Sequence, residues 1–181
     1  GGAYETLNIT TGGALDQTAP VIVNAPSDSG VINVTADTGT VTVGLSDAGN
    51  NFDNIDFITA GGGTFQSIDV RDINSIDVED AIVDGTGDIR FTANSEVAVF
   101  GAVQTTNGGS IIINSDADNA GPGGFFLDGA GQIDSDGDLT LSAADYALLT
   151  GGSVSAAGSF DINFTQVGDL CLGAAVGACQ G

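Results

Sequence analysis

Asp134-Ser-Asp136-Gly-Asp138 places three carboxylates on alternate residues, the spacing with which a loop offers several oxygens to one calcium ion. The run lacks the distant bidentate glutamate that closes an EF-hand, and the glycine-rich nonapeptide calcium repeat is not matched. Asp116 and Asp118, with Asn119, form a second calcium candidate on a turn-rich stretch. The competing use of these aspartates is turn formation, each side chain accepting a hydrogen bond from nearby backbone. Cys171 and Cys179 are the only cysteines, and with no histidine in the chain they cannot complete a four-ligand zinc site. Their spacing excludes a CxxC redox pair. It suits a local disulfide closing the last turn, which implies an oxidising compartment. Asn8, Asn33 and Asn163 each open an Asn-X-Ser/Thr acceptor for N-glycosylation.

Catalytic groupings are sparse. Asp69, Asp77 and Arg71 could share an exposed face, with Arg71 paired to Asp69 or Asp72, and glycoside hydrolysis needs two carboxylates about 5–9 Å apart. With no Trp, no His and only Tyr4 and Tyr146, a sugar-stacking platform and a histidine base are both missing. Serine and cysteine hydrolysis fail for the same want of histidine. The chain is expected not to be an enzyme. Thr40 and Thr42 alternate as an ice-binding ladder would, but the equivalent later positions are Asp, Ala, Phe or Glu.

The charge balance removes further classes. Against 24 acidic residues stand only Arg71 and Arg90, a net charge of −22, so the chain cannot neutralise a nucleic-acid backbone and is repelled by anionic membranes. No apolar run approaches the ~20 residues that span a bilayer. No basic segment precedes an apolar one at the start, so any signal peptide is expected to have been removed already or never to have been included. Because 41% of residues are hydrophobic, the chain is not a disordered acidic tail.

The elements that would position these residues are short strands. Ser67-Ile-Asp-Val, Asp88-Ile-Arg-Phe, Ser110-Ile-Ile-Ile, Asp138-Leu-Thr-Leu and Ser159-Phe-Asp-Ile each alternate inward apolar and mostly polar residues. Their first apolar residues, Ile68, Ile89, Ile111, Leu139 and Phe160, are separated by 21, 22, 28 and 21 positions. A second ladder runs through Ile76, Val97, Phe125, Tyr146 and Leu170, spaced 21, 28, 21 and 24. A weaker third runs through Val83, Val103, Ile133, Val154 and Val176. Glycine closes most units, at Gly87, Gly109, Gly137 and Gly158. The long interval recurs in all three ladders because Asp116-Ala-Asp-Asn-Ala-Gly-Pro-Gly-Gly is inserted at a corner.

This arithmetic predicts an all-β chain: a right-handed parallel β-solenoid of three strands per rung, with six or seven rungs of about 21 residues. A β-sandwich is the structural alternative. One domain spans 1–181. Residues 1–30 are an irregular or capping rung, in which Leu7-Asn-Ile and Val21-Ile-Val could be strands. Residues 31–66 are irregular, with Val31-Ile-Asn-Val on the first ladder, Thr40-Val-Thr-Val on the second and an inserted loop over 50–60 that could hold a strand at Ile55-Asp-Phe. Residues 67–181 are regular.

The stretch Gly137-Asp-Leu-Thr-Leu-Ser-Ala-Ala-Asp-Tyr-Ala-Leu-Leu-Thr-Gly-Gly-Ser-Val-Ser-Ala-Ala-Gly158 resembles the repeats of filamentous-haemagglutinin-type adhesins and other secreted bacterial β-helix passengers. The resemblance covers about Ser67 to Gly181 and implies an exported, surface-associated life. Such proteins are far longer, so the chain looks like a segment, or like a small unit that polymerises. The resulting expectation is an extracellular structural element of a surface fibre or adhesin, stacked end to end, meeting cell-surface glycans or proteins. A calcium-dependent surface-layer or matrix module is the alternative, and a glycan-active enzyme the third reading.

Overall fold

The computed structural model describes residues 5–23, 30–120, 123–166 and 168–174. Val, Ile, Leu and Phe at every second position drive the chain into short strands, because a branched or aromatic side chain packs well on a pleated surface and alternation buries one face. The first turn of the coil carries β1 (Thr6–Thr11) and β2 (Leu15–Asp16), and the second β3 (Val31–Ala36) and β4 (Thr40–Leu45). The third carries β5 (Asn54–Thr59) and β6 (Thr64–Asp72). Later turns have three strands each. These are β7 (Ile76–Val78), β8 (Ala81–Val83) and β9 (Ile89–Ala93), then β10 (Val97–Val99), β11 (Ala102–Thr105) and β12 (Ile111–Asn114). There follow β13 (Gly124–Leu127), β14 (Gln132–Ser135) and β15 (Leu139–Ala143), then β16 (Asp145–Leu149), β17 (Ser153–Ala156) and β18 (Phe160–Phe164), with β19 (Leu170–Ala174) opening another turn.

Every strand pair among the described residues is parallel, which rejects the sandwich: hairpin-linked neighbours would run antiparallel. The molecule is a β-solenoid of about seven turns of about 23 residues. One sheet is the eight-stranded series β1-β3-β5-β7-β10-β13-β16-β19. The other begins as β2-β4-β6 and then divides, because the nine-residue β6 pairs with β8 at Phe65 and with β9 from Ile68 to Asp72. Two-sided turns thus become three-sided ones at β6.

The first ladder is paired as its spacing predicts, Ile68 to Ile89, Ile111, Leu139 and Phe160, and so is the second, Ile76 to Val97, Phe125, Tyr146 and Leu170. The third differs by two residues at one step: Val103 pairs with Ala81, and Val83 with Thr105, while Ile133 and Val154 are in register with Val103. Ala81 and Val83 both point inward, and apolarity alone favours the larger. Val176 lies outside the described residues. The early strands exchange places relative to expectation. Val31–Ala36 belongs to the sheet of Ile76, and Thr40–Leu45 to the sheet of Ile68. With only one corner between them, strand order in a two-sided turn does not reveal which face comes first. The strand that the inserted stretch could hold at Ile55-Asp-Phe is present and longer, Asn54–Thr59, and pairs with β3 over six residues.

Two interior columns run the length of the coil. In the eight-stranded sheet Leu7, Ile32, Ile55, Val78, Val99, Leu127, Leu148 and Leu172 stack in register. In the other sheet Leu15, Val43, Ile68, Ile89, Ile111, Leu139 and Phe160 do the same. Strands about 4.8 Å apart bring these side chains into direct contact, each buried one contributing about 1.5–3 kcal/mol. Glycine at the corners permits the approach: a Cβ on Gly109 would be driven into the Gly87 carbonyl oxygen one turn below.

Candidate functional site

Of the proposed ligand residues Asp134 lies on β14 and the others at corners, so the corners decide most of what they can do. Asp88, Ser110, Asp138 and Ser159 sit directly before the inward apolar residues of successive strands β9, β12, β15 and β18. Ser110 N–H donates to Asp88 Oδ1 (2.9 Å), Asp138 N–H to Ser110 Oγ (3.2 Å) and Ser159 N–H to Asp138 Oδ1 (2.8 Å). Each side chain therefore clasps the backbone of the next turn, and the Ser159 bonds hold the exposed Asp138 carboxyl below the usual range. Ala102 N–H on Asp80 and Asp169 N–H on Asp145 repeat the device at other corners. The Asp/Ser alternation ahead of each ladder residue was the visible sign of this role.

The triplet Asp134, Asp136 and Asp138 is consequently pulled three ways. Ser155 Oγ donates to Asp134 Oδ1 (2.6 Å) and Gly108 N–H to Asp136 Oδ2 (2.7 Å), while Asp138 faces Ser159. Asp134 and Asp136 do share a shallow groove of about 430 Å³ with Thr105, Thr106, Ser135 and Ser155. Among the described residues, no three acidic or cysteine side chains come together as a metal-holding group. Asp118 accepts from Ala120 N–H (3.0 Å), a local turn. Asp116 is fully buried. Its Oδ2 accepts from Thr165 Oγ1 (2.6 Å) and Gln166 Nε2 (3.0 Å), whereas Oδ1 has no hydrogen-bond partner.

Cys171 lies half-buried in β19, and Cys179 lies outside the described residues. Asn8 and Asn33 are register neighbours, with Asn33 Nδ2 donating to Asn8 Oδ1 (2.8 Å), and Asn163 is exposed on β18.

No protein-family model, curated protein or solved structure matches the chain, so function is read from geometry alone.

The catalytic trio is not assembled. Asp69 and Arg71 lie on β6 of the divided sheet, Asp77 lies on β7 of the eight-stranded one, and Asp72 is buried. Asp69 instead stacks beside Arg90, which offsets part of the upward push of burial on its carboxyl. Both arginines belong to the divided sheet, which leaves the other sheet's acidic face without a basic residue. There burial raises Asp56, with Asp80 and Glu79 adding repulsion; it raises Asp77, with Asp53 and Glu79 adding to it; and it raises Glu96 beside Asp77.

The burial of Asn50, and of Asp72 that the sequence offered as a partner for Arg71, was not legible in the sequence. Asn50 Nδ2 lies within hydrogen-bond distance of the Leu45 and Arg71 carbonyls (2.8 and 3.0 Å), and its Oδ1 accepts from Gln17 Nε2 (2.7 Å) and Val21 N–H (2.8 Å). Asp72 accepts from Phe52 N–H (2.8 Å) and Asn74 N–H (2.6 Å). Beside the local contacts to Leu45 and Asn74, the partners Gln17, Val21, Arg71 and Phe52 lie twenty or more residues away, out of reach of any local pattern.

Proposed function

We propose that the chain is an extracellular structural element, a subunit or segment of a surface fibre or adhesin. The carrying observation is the pair of interior columns unbroken from the first turn to the last, which makes a stiff rod whose length grows one rung at a time. The corner carboxylates serve as clasps between turns, and the acidic faces keep such rods apart in salty surroundings. In that setting Cys171 and Cys179 staple the last turn in an oxidising compartment, and the faces meet cell-surface glycans or proteins. Antibody raised against the folded chain is expected to label intact, unpermeabilised cells of the native source. Labelling that requires permeabilisation would remove the reading.

A calcium-dependent matrix module is the second reading, favoured by Asp116 and its buried, unpartnered oxygen. At matched ionic strength, calcium in place of chelator is expected to raise the wild-type melting temperature and to leave Asp116→Asn unmoved. Equal shifts in both proteins would assign the effect to diffuse screening and end this second reading.

A further inference from the structure

We propose that the outer face of the eight-stranded sheet, at Phe100 and Phe126, is a docking surface for a basic, arginine-bearing segment of a partner protein. It names a partner class for the adhesin reading, on which it rests only for the setting in which the two would meet. Val97, Val99, Phe125 and Leu127 fill the interior from β10 and β13, so the alternate residues Ala98, Phe100 and Phe126 point outward. Phe100 N–H donates to the Val78 carbonyl (2.9 Å), which carries the pairing one residue past β10. The rings of Phe100 and Phe126 lie 6.0 Å apart, tilted by 50°, and both are half-buried. Ala98, the register partner of Phe126, is only 1% exposed although it points outward. The pair sits in the middle of the coil, with β7 on one side and β16 on the other.

Register sets carboxylates around the rings. Asp77 pairs with Ala98, in the row that continues to Phe126, and Glu79 follows Val78, the partner of Val99, and so stands beside Phe100. Asp128 N–H donates to the Val99 carbonyl (3.0 Å), which places Asp128 on the other side of Phe100. Glu96 Oε2 lies 3.7 Å from where a side chain at Gly124 would begin, so the bare glycine leaves this carboxylate room beside Phe126. An apolar patch with a polar rim marks an interaction site, and here the rim has one sign. The face of a phenylalanine ring is itself electronegative, so rings and rim attract the same group, a cation on an apolar stem. Arginine fits best, because its planar guanidinium stacks on a ring while its N–H fork reaches carboxylates. Both of the chain's own arginines are on the divided sheet, so the complementary charge comes from a partner. Asp77 and Glu96 are already raised, by burial first and by neighbouring carboxylates next, and an arriving cation relieves that repulsion. A neutral sugar would cover the rings and leave the repulsion in place.

The probe is dye-labelled hexa-arginine, titrated with the full 181-residue chain at about 0.15 M salt and followed by fluorescence anisotropy. Wild type is expected to bind it. Phe100→Leu and Phe126→Leu, which keep an apolar side chain and lose the ring, are each expected to weaken binding about fivefold. Glu96→Gln is expected to weaken it by about threefold or more. Asp84→Asn removes one charge from an exposed corner after β8 of the divided sheet, and is expected to change binding by less than about twofold. Far-UV circular dichroism checks that each variant is folded; should one ring variant fail to fold, the other and Glu96→Gln carry the test. A wild type that does not bind, ring variants that bind as wild type does, or equal losses in Asp84→Asn and Glu96→Gln would overturn the proposal. So would displacement of the peptide by uncharged cellohexaose, which would make the face a glycan platform. None of these outcomes touches surface labelling of intact cells, and failed labelling would leave the measured peptide binding in place.

Discussion

Replacing Phe91 with alanine is expected to cost about 3–5 kcal/mol, a large share of the roughly 5–15 kcal/mol that holds a domain of this size together. Phe91 is fully buried in β9, where the divided sheet has just become two faces. It stacks between Val70 and Ile113 in its own sheet, and its ring lies 6.4 Å from that of Phe57 on the opposite sheet. Phe57 in turn meets Phe65 edge-on at 5.6 Å. The alanine would leave a void that neighbouring turns cannot fill, because their backbones are fixed by parallel ladders on both sides. A solenoid turn touches only its neighbours, so the loss falls on the junction between two-sided and three-sided halves. Urea unfolding followed by circular dichroism should therefore show a lower midpoint, and a broadened or divided transition. Ile162→Ala, at a half-buried position in the last described full turn, is expected to cost well under half as much. Equal costs at the two sites would refute this distribution of stability.

Where each turn repeats the same offsets, the sequence carried the register to the residue: Ile68, Ile89 and Ile111 stack because glycine-closed units of nearly constant length separate them. The information thins toward the N-terminus. There a turn has two strands joined by Asp37-Thr38-Gly39, and the missing third side removes the phase marker that would tell one sheet from the other. Thr105 shows a second limit. It occupies an inward slot as a polar residue, its hydroxyl satisfied by the Gly109 carbonyl (2.6 Å), and so broke the apolar pattern that located the third ladder. The candidate ligands show a third. Alternate aspartates converge on one ion if they sit in a single loop, but Asp134 to Asp138 leave a strand and round a corner, where Ser155, Gly108 and Ser159 from other turns take one carboxylate each. Local spacing names the donors; their aim is set by residues a full turn away.

Lowering the pH from 7 to 5 is expected to stabilise this protein, against the usual direction for a chain rich in carboxylates. Burial pushes Asp72 up to about 6 from an ordinary value of 3.8, despite two N–H donors that favour its ionised form. Asp56, Asp69, Asp77 and Glu96 are raised as well, burial being the first cause in each. A folded-state value above the unfolded one means that the native protein holds the proton more tightly between the two. Stability is then fully present below 3.8 and is lost as the pH climbs through about 6. For Asp72 a shift of about two units corresponds to at most about 3 kcal/mol, and screening at the corner brings the expected share to about 1–2 kcal/mol. The exposed Asp138, lowered by Ser159, works in the opposite direction. Melting temperatures measured across this range should rise toward pH 5. Asp77→Asn, which removes the charge facing Asp53, Glu79 and Glu96, should raise the value at pH 7 and shrink the difference. Added salt should weaken the part due to repulsion and leave the part due to burial. A melting temperature that falls steadily from pH 7 to pH 5 would mean that these carboxylates are better solvated, or better paired, than their places on and under the sheet imply.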